Sequence, residues 1–392
     1  MTSTTTYVNH PCFDITSRRT AGRLHLPVAP RALARIRFAD NAKFRPAMMP
    51  EEAVAWLDHV LAQGKKIDIV GITGPGDPLA VPEASLRTLK LVRDKYPDIS
   101  LCMTTLGVNG ALYALELAEI GLSHITILVD AVAPEVAEKL YAWVRPSTRT
   151  MPLPEAVKTL LDEQAKAIIA FKKAGITVKI NTTVYPGYNA GHVESIAEAM
   201  ATLGADVMAV VPFHPSEEIE GNPAPSGTEL LSAVRDRAAQ HMDLMPGWSE
   251  CGEDVVGLET PGVDSAPVSI LPKSTKDRPN VGVVSSNGMD VDLHLGHAVK
   301  VLVYGPREDG LACLLETREA PEPGSGSSRW HELARLLDDC FVLLTASAGD
   351  KPREILSRKG LSVLIAETEI ESTVDMLYGG GKKKGKGCKT AA

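Results

Sequence analysis

The sequence predicts an α/β protein. A parallel sheet of about six βα units, open or partly closed as a barrel, is followed by a second, smaller α/β domain. Three observations carry this. Strand and helix signals alternate from Arg23 to Val211. A stretch rich in Pro, Ser and Thr, read as a linker over 259–279, then breaks the pattern. From Asn280 the alternation restarts and runs for ~100 residues, a normal domain size.

The elements follow in order. Residues 1–22 read as an irregular arm carrying His10-Pro11-Cys12, and 23–258 as the first domain. Arg23–Ala29 alternates and reads as its first strand, and Arg31–Ala47 as a basic irregular segment. Pro50–Gln63 is an amphipathic helix that Gly64 ends. The apolar run Ile67–Ile72 reads as a buried strand leading into Gly74-Pro75-Gly76-Asp77-Pro78, and Pro82–Tyr96 as the helix after it. Further strands are expected at Ile99–Thr104, His124–Val129, Thr177–Thr183 and Val207–Val211. Helices are expected at Ala111–Ile120, Pro134–Trp143, Leu153–Ala174, His192–Leu203 and Glu229–Met242. In the second domain, 280–380, the strands are Val281–Ser285, Lys300–Tyr304, Ala312–Glu316, Cys340–Thr345 and Ser362–Ala366. Its helices are Trp330–Asp338, Pro352–Lys359 and Ile370–Leu377, and 381–392 is a Gly/Lys tail.

Composition narrows the function. The 392 residues are 44% hydrophobic and carry a net charge of −8, which argues against a broad nucleic-acid surface. The one basic cluster, Lys382–Lys386, reads as a solvated tail. No apolar run approaches the ~20 residues that span a bilayer. The Thr-rich start has no signal-peptide core, so a cytoplasmic protein with no membrane partner is expected. The six cysteines, at 12, 102, 251, 313, 340 and 388, are then reduced, and they form no CxxC pair.

In parallel α/β folds the working residues gather where strands end. Gly74, Gly76, Asp77, Thr104, Thr105, Asp130, Asn181 and His214 fall near such ends. The glycines let a ligand approach the backbone, and the turn is expected to leave N–H groups free for it. A plain tight turn accounts for the same residues equally well. Cys12, Cys102 and Cys251 are candidate thiolates, and three thiolates from separate loops suit an iron–sulfur cluster. Cys102 also fits a buried structural thiol, Cys313 and Cys340 read as core, and Cys388 as a free thiol. His294 and His297 flank Leu295-Gly296 and can present imidazoles to a metal or an anionic cofactor; two surface-loop histidines are the plainer reading.

Several segments resemble the NifB family, the radical-SAM enzymes that build the precursor of the nitrogenase iron–molybdenum cofactor. His10-Pro11-Cys12 matches its opening His-Pro-Cys, and Arg23-Leu24-His25 with Val28-Ala29-Pro30 its Arg-Met-His…Val-Ala-Pro. Gly71 to Ala80 resembles its SAM-contacting Gly-Pro-Gly-Asp-Pro-Leu-Ala stretch. Leu101-Cys102 with Thr104-Thr105-Leu106-Gly107, Val178-Lys179-Ile180-Asn181 with Pro186-Gly187-Tyr188-Asn189, and Glu250-Cys251 with Asp254 to Gly257 match in the same order. Val291 to Ala298 resembles the small domain that binds the nitrogenase cofactor and its precursor.

The resemblance implies a partial (β/α)6 barrel of radical-SAM type and a second domain of ribonuclease-H-like type. It implies that Cys12, Cys102 and Cys251, with His10, hold an iron–sulfur precursor, and that His294 and His297 receive it. Gly74, Pro75, Gly76, Asp77, Thr104 and Asn181 are the implied contacts for SAM. One departure stands out. Where the family carries the CxxxCxxC of its reducing [4Fe–4S] cluster, this chain reads Arg31-Ala32-Leu33-Ala34-Arg35-Ile36-Arg37-Phe38-Ala39-Asp40-Asn41. Trp248 likewise stands where the family has the first cysteine of a pair ending at Cys251. The expectation is a protein of cofactor biosynthesis that holds or transfers an iron–sulfur precursor without radical chemistry, with nitrogenase maturation proteins as partners. The alternatives are an active radical-SAM maturase, a SAM- or nucleotide-binding barrel without iron, and a scaffold.

Overall fold

A computed structural model describes residues 10, 12–13, 17, 21–38, 46–147, 151–214, 223–245, 271–306, 312–322 and 326–378. Cys251 and its motif, most of the linker, Lys382–Lys386 and Cys388 lie outside the described residues. The chain divides into two compact units, 1–42 with 48–268, and 43–47 with 269–392.

The first unit runs β1 (Arg23–His25), β2 (Ala34–Ile36), α1 (Pro50–Ala62), β3 (Ile69–Ile72), α2 (Pro82–Lys95), β4 (Ser100–Thr105), α3 (Gly110–Ile120), β5 (Leu122–Leu128) and α4 (Pro134–Leu140). It continues β6 (Tyr141–Val144), α5 (Leu153–Lys173), β7 (Thr177–Val184), α6 (Val193–Thr202), β8 (Val207–Pro212) and α7 (Thr228–Ala238). Pro50, Pro82 and Pro134 open their helices, where a missing N–H costs no hydrogen bond. Six strands form one parallel sheet in the order β1-β3-β4-β5-β7-β8. One face packs Leu24, Val70, Leu101, Met103, Ile125, Ile127, Val178, Ile180, Met208 and Val210 into the main core with the helices. Strand periodicity then sends Arg23, His25, Gly71, Cys102, His124, Lys179 and Asn181 to the opposite face.

Three expectations change. The first strand ends at His25, because Pro27 has no N–H with which to continue the ladder; Ala29 makes only an isolated bridge to Pro75. Arg31–Ala47 is not wholly irregular, since Ala34–Ile36 pairs antiparallel with Tyr141–Val144. The helix expected over Pro134–Trp143 therefore stops at Leu140. Its last residues become β6, with Tyr141 and Val144 buried in a second apolar cluster.

The second unit runs β9 (Asn280–Val283), a 3-10 turn (Leu295–His297), β10 (Lys300–Pro306), β11 (Ala312–Glu319), α8 (Ser328–Leu336), β12 (Cys340–Thr345), α9 (Asp350–Arg358), β13 (Ser362–Ile365) and α10 (Ile370–Leu377). Its sheet order is β11-β10-β9-β12-β13. The β10 strand runs antiparallel to both β9 and β11, while β12 and β13 run parallel to β9, the ribonuclease-H-like arrangement. The Ala47 N–H donates to the Ile365 carbonyl at 2.9 Å, adding an antiparallel bridge at the β13 edge. Cys340 is buried as expected, but Cys313 is only half-buried, on the edge strand β11. Among the described residues no helix is long and apolar enough to cross a membrane.

Candidate functional site

The register of the parallel sheet sets up one rung of side chains. His25 lies opposite Gly71, Gly71 opposite Cys102, and Cys102 opposite His124. Glycine is required at 71. A Cβ there would stand 2.7 Å from His25 Cδ2 and 2.8 Å from Cys102 Sγ, so the missing side chain is what lets imidazole and thiol converge.

The N-terminal arm delivers a second thiol to this rung. The Cys12 and Cys102 thiols hydrogen-bond each other. The Arg23 guanidinium donates to Cys12 Sγ, and Lys179 Nζ donates to the Cys12 carbonyl at 2.8 Å. The Cys12 N–H donates to His10 Nδ1 at 3.1 Å. His10 stacks 4.4 Å from His124, and Phe13 closes the group at 4.6 Å from His124. Cys12, Cys102, His10, Arg23 and Lys179 are all buried.

This arrangement divides the two thiols. The Cys102 hydrogen bond, working against burial and helped by His10, His25 and Arg23, holds Cys12 well below the usual thiol range. The Cys12 hydrogen bond, with burial and the Cys12 charge, pushes Cys102 well above it. The two neighbours therefore push in opposite senses, Cys12 towards the thiolate and Cys102 towards the thiol. Burial, with the neighbouring His10, lowers His124 to about 3, so its ring is neutral at physiological pH. Thiolate and neutral imidazole are soft-to-borderline donors, and two buried cations surround them; the combination suits an anionic iron–sulfur ligand.

Cys12, Cys102 and His10 are thus brought together. Among the described residues, no three His, Cys, Asp or Glu side chains stand as a ready-made ligand set for one metal ion. Sequence reasoning gave His25, His124, Arg23, Lys179 and Gly71 no part in the thiol site. The available signal was polar residues at alternate positions inside otherwise apolar strands.

The Gly-Pro-Gly-Asp-Pro turn departs from expectation. The Gly76 N–H donates to the Ala29 carbonyl at 2.6 Å and the Asp77 N–H to the Arg31 carbonyl at 2.7 Å, so neither is free for a ligand. Gly76 is a glycine because a Cβ would lie 2.2 Å from the Arg31 carbonyl. Asp77 is consumed as well. Its carboxylate accepts from the Leu79 N–H at 2.9 Å, the Leu106 N–H at 2.6 Å and the Thr105 hydroxyl at 2.8 Å. Gly74 is open, with no atom closer than 3.8 Å to where a Cβ would stand. Pro75 makes the Ala29 bridge, and Thr104 stands two residues beyond Cys102 on β4.

At the strand ends, Asn181 Oδ1 is buried without a hydrogen-bond partner among the described residues. Asp130 accepts from the Thr183 N–H at 2.7 Å, and burial pushes its carboxyl up to about 7. His214 is exposed. Above them Phe38 packs 4.6 Å from Tyr188, 5.6 Å from Tyr185 and 6.1 Å from Phe213. Phe38 and Leu33 belong to the apolar cluster that also buries Tyr141 and Val144.

In the second unit His294 and His297 flank the 3-10 turn with ring centroids 5.3 Å apart, and both are exposed. The His294 ring nitrogen Nδ1 accepts the Gly296 N–H at 2.8 Å. Burial, together with His297, lowers the His294 pKa. The turn is tied to β12 by the Leu295 N–H, which donates to the Ser347 carbonyl at 2.8 Å. Arg329, buried on α8, donates to the Gly296 and Ala298 carbonyls at 2.7 and 2.6 Å.

Comparison with known proteins bears on both units. Residues 37–200 match the radical SAM superfamily, and residues 280–380 match the dinitrogenase iron-molybdenum cofactor family. The chain is 36% identical to the FeMo cofactor biosynthesis protein NifB of Chlorobaculum tepidum, over 96% of this chain and 93% of that protein. It is 27% identical to the NifB of Klebsiella pneumoniae, over 90% and 86% respectively. Among solved structures, methylornithine synthase aligns with a TM-score of 0.43 at 16% identity, covering 58% of this chain and 65% of that one.

Proposed function

The chain belongs to the NifB family, and we propose that it serves nitrogenase iron–molybdenum cofactor biosynthesis by binding, holding and handing over an iron–sulfur precursor, without radical chemistry. The rung of His25, Gly71, Cys102 and His124, with the Cys12 thiol and the Arg23 guanidinium set against it, carries this reading. The precursor is the cargo. Cys12 and Cys102, with Cys251, supply its thiolate ligands, and His10, His25 and His124 are the imidazoles nearest them. Arg23 and Lys179 offset the negative charge of sulfide and thiolate in a buried setting, where such charge is costly when unpaired. In the second unit His294 and His297 accept the cargo, and the maturation proteins of the same pathway are the partners.

The radical SAM match implies SAM and a reducing [4Fe–4S] cluster. The residues at the strand ends do not fit them. The chain has no cysteine between Cys12 and Cys102, so the reducing cluster has no thiolates in that segment. The Gly76 and Asp77 N–H groups and the Asp77 carboxylate are already bonded within the chain.

The test is anaerobic reconstitution of the full chain with iron and sulfide, followed by iron analysis and incubation with SAM and a reductant. The chain is expected to retain iron, to lose most of it in Cys12→Ala and in Cys102→Ala, and to release no 5′-deoxyadenosine. Iron content unchanged in both variants would remove the thiol site. Formation of 5′-deoxyadenosine would establish the active radical-SAM reading, which the superfamily match over 37–200 favours.

A further inference from the structure

The second unit holds a cavity of about 260 Å³, lined by Arg278, His331, Ala334, Arg335, Asp338 and Lys359. The histidine turn takes no part in its lining. His331, Arg335 and Asp338 stand at i, i+4 and i+7, so α8 and the residues just past its end present them on one face. Ala334 between them is buried, and its short side chain leaves the space open. Lys359 follows the last residue of α9.

Arg278 is fixed in place. Its guanidinium donates to the Cys340 carbonyl at 3.0 Å, the Gly360 carbonyl at 3.2 Å and the Lys359 carbonyl at 2.8 Å. The last two carbonyls end α9, so this cation offsets a negative helix pole that would otherwise repel an anion. Two of the five guanidinium donors are left over for a ligand.

The other cations of the cavity are unpaired. Among the described residues, neither Arg335 nor Lys359 has a carboxylate within ion-pair distance, and Asp338 has no cation. Nearby arginines of the same unit are paired, Arg318 with Asp339 at 2.6 Å and Arg358 with Glu354. The cavity thus gathers three cations against one carboxylate on a chain whose net charge is −8. Like charges around one space repel each other, and a bound anion relieves the repulsion.

We propose that this cavity binds a small organic dianion or trianion that carries a hydroxyl group. Arg278, Arg335 and Lys359 hold its phosphate or carboxylate oxygens, which suit the guanidinium fork. Asp338 accepts its hydroxyl. The space equals that of about nine waters, enough for a phosphate monoester or a tricarboxylate and too little for a nucleotide. The inference does not depend on the iron–sulfur cargo.

The experiment is calorimetric titration of the iron-free full chain at fixed ionic strength. The probes are citrate, tricarballylate (citrate without its hydroxyl), glycerol 3-phosphate and inorganic phosphate. Citrate or glycerol 3-phosphate is expected to bind with a Kd below about 1 mM, and the tighter of the two identifies the source of the oxyanion. Affinity should fall about ten-fold in Arg335→Gln and in Lys359→Gln, the scale of one charge-assisted hydrogen bond. Both positions are exposed, so thermal unfolding without anion should not change in either variant. The hydroxylated probe of each pair should bind about ten-fold tighter than its partner, and Asp338→Asn should narrow that gap to about two-fold. No heat from any probe, or binding that both charge variants leave unchanged, overturns the site. Equal affinity within both pairs of probes overturns the role of Asp338 and the ligand class with it.

Discussion

Burial at single positions decides much of this protein's response to pH. Asp130 is buried, and its carboxyl is pushed up from the ordinary 3.8 to about 7. Between those values the folded chain keeps a proton that the unfolded chain has lost. Stability from this group is therefore present below about pH 4 and is lost as pH rises towards 7, by about 1.4 kcal/mol for each pH unit crossed. Asp130→Asn keeps an acceptor for the Thr183 N–H and should remove that slope; urea midpoints of the two proteins across the window give the measurement. At Gly76 the constraint is steric. A methyl 2.2 Å from the Arg31 carbonyl cannot be accommodated without moving backbone. Gly76→Ala is expected to lower stability by roughly 2–4 kcal/mol, read from the same urea titrations.

Elements were legible wherever burial imposes a period, and they failed where a partner lies far away in sequence. The β12 strand and α10 were read to the residue because an apolar run and an amphipathic repeat each mark their own ends. The end of α4 carries no glycine or proline, and what stops it is the pairing of Tyr141–Val144 with Ala34–Ile36. Local pattern contains no trace of that pairing. The Gly-Pro-Gly-Asp-Pro turn failed for a related reason: its N–H groups look free until Ala29 and Arg31 are seen to bond them. The same segment sends Phe38 into the aromatic group at the strand ends. Phe38→Ala, at a buried position, should cost about 3–5 kcal/mol in chemical denaturation. Its effect on iron retention should be small, because Phe38 packs in a different apolar cluster from Cys12 and Cys102.

For the whole molecule, the outline of a parallel sheet followed by a second α/β unit was readable from alternation alone. The site was readable only in part. Cys12, Cys102 and His10 were identifiable by chemistry, whereas His25, His124, Arg23 and Lys179 resemble ordinary strand residues until register sets them side by side. A net charge of −8 likewise gives no hint that two cations are buried at one place. Further afield, the second unit includes residues 43–47 as well as 269–392, and Ala47 supplies an N–H to Ile365 at the edge of its sheet. That bond has a consequence for inheritance and for synthesis. A gene fragment beginning at residue 269 encodes a unit that lacks one of its own pieces, and the missing piece leaves the ribosome long before the sheet it completes. Such a fragment should melt below the corresponding transition of the full chain and gain stability when a peptide of residues 43–49 is added. A single cut at residue 269 leaves that strand partner behind with the other unit.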